Sequence, residues 1–188
     1  MGHIVVSANI SLDGVVQDPT GEEGFARGGW FDAVDADTRA AWGALEHAEA
    51  WEASALLLGH RSYAWFAQRW AGRPGDWADR LRALPKYVVG TAVTDLGWGT
   101  VTALPGDPGR PVAALRDRVD GMLVVYASRL LVRALLDHDL VDELRLITFP
   151  CVLGAGDRLF DSTARATTFR LADSGTVGAG LTRQTYRR

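Results

Sequence analysis

The sequence predicts an α/β fold of three layers, with helices on both faces of one mixed, mostly parallel central sheet and antiparallel strands at its C-terminal side. Three observations carry this. Short apolar runs alternate with helical patterns through most of the chain, the order that βαβ units with right-handed crossovers produce. The helical patterns then stop, and the last apolar runs follow one another as antiparallel strands do. With 188 residues, 47% of them hydrophobic, the chain has the size and apolar content of a single domain, 1–188, with a sizeable core.

Residues 3–11 are β-rich and open the fold as a strand, which Leu12-Asp13-Gly14 ends. Residues 17–29, rich in Gly, Pro, Asp and Glu, read as a long loop, and such loops in compact domains are often lids or binding loops. Asp37 or Thr38 caps a helix with Trp42, Leu45 and Ala48 or Glu49 on one face. A second strand, 55–59, leaves through Gly59 into a helix whose Tyr63, Phe66, Ala67 and Trp70 have the i, i+3, i+4, i+7 spacing of a packed face. Arg73-Pro74-Gly75 is a turn, Asp76 caps a short helix with Trp77, Leu81 and Leu84, and Pro85 stops it. Strands follow at 86–90 and, more weakly, at 100–104. After the turn Gly106-Asp107-Pro108-Gly109, Pro111 suits the first position of a helix holding Val112, Leu115 and Val119. Residues 122–126 are a buried strand, and Ser128 caps a helix with Leu131, Leu135 and Leu136 inward. Strands at 144–149, 169–173 and 181–186 complete the chain, the last two joined by a hairpin at 177–180.

Composition narrows the function. The net charge is −3 with acids and bases interspersed, which argues against a nucleic-acid partner. No apolar run approaches the length that spans a bilayer, and the N-terminus lacks a signal-peptide pattern, so no membrane partner and a cytoplasmic location are expected. Cys151, a lone cysteine in an apolar stretch, reads as a small core residue. His3, His47, His60 and His138 show no metal-ligand spacing, so no metal is expected. Seven Trp is high for this length and suggests that some line a pocket or an interface.

Ligands of such sheets sit at the carboxyl ends of the parallel strands, here Gly59, Gly90 and Tyr126. The segment Leu56-Leu57-Leu58-Gly59-His60-Arg61-Ser62-Tyr63 is the most informative of these corners. A strand that turns through Gly into a helix start offers unpaired N–H groups and the positive end of the helix dipole, beside a basic residue and a hydroxyl. That suits a phosphate, with a nucleotide cofactor the first candidate. An ordinary strand-to-helix turn with a surface Arg has the same pattern.

The order of motifs resembles the dihydrofolate reductase-like superfamily, and within it the reductase domain of the bacterial riboflavin-biosynthesis deaminase/reductase. The residues that carry the likeness are Ser11-Leu12-Asp13-Gly14-Val15, Gly28-Gly29-Trp30, Leu58 to Tyr63, Leu84-Pro85-Lys86-Tyr87-Val88-Val89, Leu140-Val141-Asp142-Glu143-Leu144, and the stretch from Pro150 to Phe160. The resemblance implies a mixed sheet of about eight strands, an NADPH site, and reduction of a pterin- or pyrimidine-like substrate.

The same likeness assigns residues. Gly59, His60, Arg61 and Ser62 would meet the cofactor phosphates. Family members show Gly-Arg-x-Thr/Ser there, whereas this chain has His60 and then Arg61, and a neutral His is a weaker phosphate partner than a guanidinium. Gly90-Thr91 stands beside the adenosine, where related chains continue Ser-Arg. Tyr126-Ala127-Ser128-Arg129 replaces a glycine pair before the pyrophosphate helix. Tyr126 would crowd the cofactor or stack on a ring, while Ser128 and the helix N–H groups remain suited to phosphate. Gly154, in Gly154-Ala155-Gly156, turns near the cofactor or simply joins two strands. Asp13, by the nicotinamide edge, is the first catalytic candidate, with an Asp-Gly turn as the competing role. Trp30 and Phe31 close a flat heterocycle by stacking, or pack as core or lid. Asp35 and Asp37 lie near the place of the pterin-anchoring acid of dihydrofolate reductases, but capping is the role their surroundings support.

The expected function is an NAD(P)H-dependent reductase of a small heterocyclic or carbonyl substrate, with NADPH first and NADH or no cofactor left open. The alternative is a non-catalytic relative that binds a nucleotide, flavin or pterin, and a third reading is a scaffold protein using surface Trp. A homodimer through the C-terminal strands follows from the likeness.

Overall fold

A computed structural model describes residues 2–91 and 93–188. Its elements in chain order are β1 (His3–Ser11), a short 3-10 turn (Trp30–Ala33), α1 (Ala36–Glu52), β2 (Ala53–Gly59), α2 (His60–Trp70), α3 (Asp76–Ala83), β3 (Lys86–Val89), β4 (Val101–Leu104), α4 (Gly109–Arg118), β5 (Met122–Tyr126), α5 (Arg129–Asp137), β6 (Glu143–Phe149), β7 (Arg170–Val177) and β8 (Leu181–Arg187). No described helix is long and apolar enough to cross a membrane.

All eight strands join one sheet in the order β4-β3-β2-β5-β1-β6-β8-β7. The first six in that order pair in parallel, and β8 and β7 add antiparallel at one edge. The central strands β1, β2 and β5 are buried on both faces, which explains their nearly unbroken apolar runs. On one face Ile4, Val6 and Leu57 pack under Val112 and Leu115 of α4 and Leu131 and Leu135 of α5. On the other, Val5, Leu56 and Leu58 pack under Ala50 of α1, Tyr63 and Ala67 of α2 and Leu81 of α3. A third cluster, built on Trp30, Phe149, Val177 and Leu181, seats α1 over the antiparallel end.

The differences from expectation sit at element ends. The α1 cap is Asp35, whose carboxylate accepts the Thr38 N–H at 2.7 Å, so the helix starts before Asp37. β2 begins at Ala53, which pairs with Met122 as soon as α1 ends. Pro111 is the third residue of α4, not the first, a place where its missing N–H still removes no helix bond. Ser128 occupies the cap position of α5, but its side chain does not cap the helix.

Candidate functional site

β2 and β5 are neighbours that leave the sheet toward opposite faces, β2 into α2 and β5 into α5. Such a switch point opens a crevice at the strand ends, and two helix N-termini meet there. The Gly59 N–H donates to Ser128 Oγ at 3.0 Å, and the Ser128 N–H donates to Ser62 Oγ at 3.0 Å. Two serines thus lock the strand-to-helix turns together. Neither helix has a side-chain cap, so both point first-turn N–H groups and a positive dipole end at one place. The β5 turn is made without glycine. Ala127 and Ser128 hold φ of 49° and 56°, left-handed values that cost about 1–2 kcal/mol each for a residue with a Cβ. Strain of this kind persists only where its surroundings enforce it. Here the two serine bonds do so.

Arg61 is exposed beside this cradle, with no hydrogen-bond or ion-pair partner among the described residues. His60 packs toward the end of β3, where a Cβ on Gly90 would stand 3.1 Å from His60 Cβ. Thr91 is exposed at the same edge. Arg129, in the first turn of α5, is held by Asp157 at 2.9 Å and Asp161 at 2.8 Å, so it fastens the helix to the loop after β6.

That loop is anchored by Asp13. Its carboxylate accepts the N–H groups of Leu153 (3.0 Å) and Gly154 (2.8 Å) and the Ser11 hydroxyl (2.7 Å), and faces Arg158 at 3.4 Å. These donors, the Leu153 amide foremost, hold its pKa well below the usual carboxylate range. Asp13 therefore stays an anion that organises residues 153–158, and Gly154 belongs to the same arrangement. The loop 17–29 forms around buried Asp18, whose carboxylate accepts the N–H groups of Glu22, Glu23 and Phe25. It is tied through Arg27 to the Leu153 carbonyl and through Glu22 to Arg69 in the last turn of α2.

Trp30 is buried, and its indole N–H donates to the Gln17 carbonyl at 2.9 Å. Phe31 stacks on Phe149 with ring centroids 5.0 Å apart, and touches Trp42 at 4.7 Å. These rings lie above a polar chamber between α1 and the sheet. Trp42 Nε1 donates to Asn9 Oδ1 and Glu46 Oε1, both at 3.0 Å. One turn on, Glu49 is 8% exposed and meets Arg145 at 3.2 Å through Oε2, and its carboxylate also accepts from the Ser7 and Tyr126 hydroxyls. Burial and the Glu49 charge push the Glu46 carboxyl up to about 7, and burial raises Glu49 as well.

Tyr126 closes the chamber. Its ring does not stand in the crevice beside the cradle. It is 5% exposed, packed in the core facing α1–α3 with Phe66 at 6.2 Å. Its hydroxyl is buried against Glu49, and burial, the Glu49 and Glu46 charges and a side-chain hydrogen bond to Glu49 raise its pKa. A cavity of about 230 Å³ extends from Ser7, Glu46 and Glu49 outward past Arg145, Thr185 and Arg187. No group of three or more His, Cys, Asp or Glu suited to a metal ion stands among the described residues.

Glu46 was not among the residues singled out from the sequence, and Glu49 was placed on the inward face of the helix without a functional role. The signal was present, because Glu46 and Glu49 fall on the inward stripe of α1 with Trp42 and Leu45. An acid on a core-facing stripe is costly unless something uses it.

Solved structures share the fold. A putative riboflavin biosynthesis protein from Shewanella sp. PV-4 aligns with a TM-score of 0.72 and 22% identity, over 99% of this chain and 98% of that one. A diaminohydroxyphosphoribosylaminopyrimidine deaminase/5-amino-6-(5-phosphoribosylamino)uracil reductase from Thermotoga maritima aligns at 0.65 with 13% identity, over 99% of this chain and 56% of that one. The dihydrofolate reductase of Enterococcus faecalis, solved with NADP(H) and RAB-propyl, aligns at 0.58 with 12% identity, over 99% and 96% of the two chains. No curated protein matches the sequence. The model of the RibD C-terminal domain matches residues 2–182, and the chain belongs to that family.

Proposed function

We propose that this chain is a reductase of a small pterin- or pyrimidine-like heterocycle that uses a nicotinamide dinucleotide, NADPH first. One observation supports the reading: two helix N-termini, locked together through Ser62 and Ser128, meet at the ends of β2 and β5 beside Arg61. Tyr126 directly precedes the Ala127-Ser128 turn and carries its ring to the face on which the chamber lies. Membership of the family and the NADP(H) complex of the Enterococcus enzyme support it.

When bound, the dinucleotide supplies the hydride. The chain's part is to place and to protonate. First-turn N–H groups of α2 and α5 hold the diphosphate, and Arg61 meets a 2′-phosphate. The loop 17–29 excludes water, and Trp30 and Phe31 flank the heterocycle. Glu46, poised near neutrality, holds a proton that Asp13, kept ionised, does not. We also read the chain as a cytoplasmic homodimer through the β7 edge, which its mass in solution checks.

Thermal unfolding with and without ligand tests the function. NADPH at 100 times its Kd should add about 2.7 kcal/mol of stability. Protection by flavin or folate but by neither NADPH nor NADH would replace the reductase with a binding protein. Arg61→Ala should weaken NADPH about tenfold, the scale of one charged hydrogen bond, and NADH far less. Equal losses would remove Arg61 from the 2′-phosphate.

A further inference from the structure

Residues 160–168 have no regular structure, are exposed for most of their length, and run along α5. Polar contacts fasten them there, about one for each helical turn. Arg129 Nη1 meets Asp161 at 2.8 Å and Arg133 donates to Ser162 Oγ at 3.0 Å. The Ala164 N–H donates to the Asp137 carboxylate at 2.6 Å, and Arg165 pairs with Asp139 at 2.6 Å just past the helix end. Positions 129, 133 and 137 stand four apart and share one face of α5.

The root of this segment is held differently. Leu159 is buried, and its N–H donates to the Gly14 carbonyl at 2.9 Å. The Asp157 carbonyl accepts the Val16 N–H at 2.9 Å, and the Asp157 N–H donates to Gln17 Oε1 at 3.0 Å. The segment is a strap, pinned at 157–159 and zipped to α5 by exposed groups that each contribute little.

The first rung of the zip lies at the cradle. Arg129 opens α5, and side chains at a helix start tilt back past the N-terminus, here toward the diphosphate position. Both its terminal nitrogens are taken, Nη1 by Asp161 and Nη2 by Asp157 at 2.9 Å. One guanidinium facing two carboxylates leaves a net negative charge beside a site suited to an anion, and like charges brought together oppose binding. Asp157 sits on the pinned root, so Asp161 is the acid that can leave.

We propose that a bound dinucleotide takes Arg129 from Asp161 and lifts the strap off α5. The inference rests on the reductase reading for the diphosphate. The freed Nη1 donates to a diphosphate oxygen, a charge-assisted bond, while Nη2 stays on Asp157. Departure of Asp161 removes one opposing charge from the cradle. Closed, the strap withholds a cation from the site. Open, it bares the face of α5 that carries Arg133 and Asp137.

Limited trypsin digestion of the full chain, with and without saturating NADPH, is the test. A ligand that binds the native state ordinarily slows cleavage. Cleavage after Arg165 should instead speed up at least about fivefold while the other sites slow or hold. Asp161→Asn should reach the faster rate without NADPH and bind NADPH about threefold more tightly, because it loses one rung and one opposing charge. Asp161 is exposed and outside the helices and strands, so the variant keeps the fold. Cleavage after Arg165 that slows or holds with NADPH bound overturns the proposal, as does unchanged or weaker NADPH binding by Asp161→Asn. Calorimetry records NADPH binding separately. Absence of binding takes the cofactor reading and the strap down together, whereas binding without release removes the strap alone.

Discussion

The cradle and the chamber meet at Tyr126 but are built in opposite ways. The cradle is backbone: strand ends, two helix starts and two short hydroxyls, every part within a few residues of Gly59 or Tyr126. The chamber is side chain. It takes Ser7 and Asn9 from β1, Glu46 and Glu49 from α1, Tyr126 from β5 and Arg145 from β6. A backbone site tolerates changes of residue. Ala127 and Ser128 form a left-handed turn where glycine would be easier, and the amides still point the same way. A side-chain site depends on each partner, because a buried charge that loses its counter-charge is left uncompensated.

The largest effect should come from breaking that dependence. Arg145→Ala removes the one cation paired with Glu49, whose side chain is 10% exposed, leaves Glu143 with Arg187 alone, and should cost about 3–5 kcal/mol in chemical denaturation. A cost below about 1 kcal/mol would mean the chamber charges are solvated, and the contrast with the cradle would dissolve.

The chamber also predicts a pH dependence that the cradle lacks. Glu46 titrates near 7 when folded, against 4.5 for an ordinary glutamate, so the folded state binds the proton more tightly. Its contribution to stability is complete below pH 4.5 and is lost as pH rises through 7. Glu46→Gln should flatten stability over that window. Lys86, buried beneath Trp98 and pushed down to about 8, works in the other direction. Its burial penalty is fully felt below pH 8 and fades as pH rises toward 10.5, so stability should gain there, and Lys86→Met should remove that gain. An unchanged slope in both variants would place these groups in contact with water.

How far each region could be read from the sequence follows from the same contrast. β1 and β5 were legible to the residue, because apolar runs between turn signals are local information. The cradle was legible too, since Gly59, Ser62 and Ser128 adjoin strand ends. Their mutual bonding was not, as it links residues 66 and 69 positions apart. The chamber was hidden for that reason. Nothing near Glu49 in the chain announces Arg145, 96 positions away. Asp13 was placed correctly at the end of β1, but its donors come from 140 and 141 positions on, and they make it an anchor.

Within the cradle the effects should be smaller and can take either sign. Ser128→Ala leaves the Gly59 N–H without its acceptor, at a cost of about 1–2 kcal/mol, and lets the two turns separate, which weakens dinucleotide binding. Ala127→Gly should instead stabilise by up to about 1 kcal/mol, because glycine adopts φ 49° without a Cβ clash and this outweighs its extra freedom when unfolded. If Ala127→Gly destabilises, the turn is held by packing of the methyl group, and the cradle is less purely backbone than described.

The smallest effect separates the two regions most sharply. Tyr126 belongs to both, with its backbone opening the cradle and its hydroxyl lying in the chamber. Tyr126→Phe leaves the backbone and the ring contact with Phe66 in place and removes one buried hydroxyl bonded to Glu49. The desolvation of the hydroxyl offsets that bond, so stability should change by less than about 1 kcal/mol. Dinucleotide affinity should not change, since the amides at 127 and 128 do not move. A variant that loses more than about 1 kcal/mol would make the hydroxyl a fixed part of a polar core, and the cradle alone would remain as the binding site.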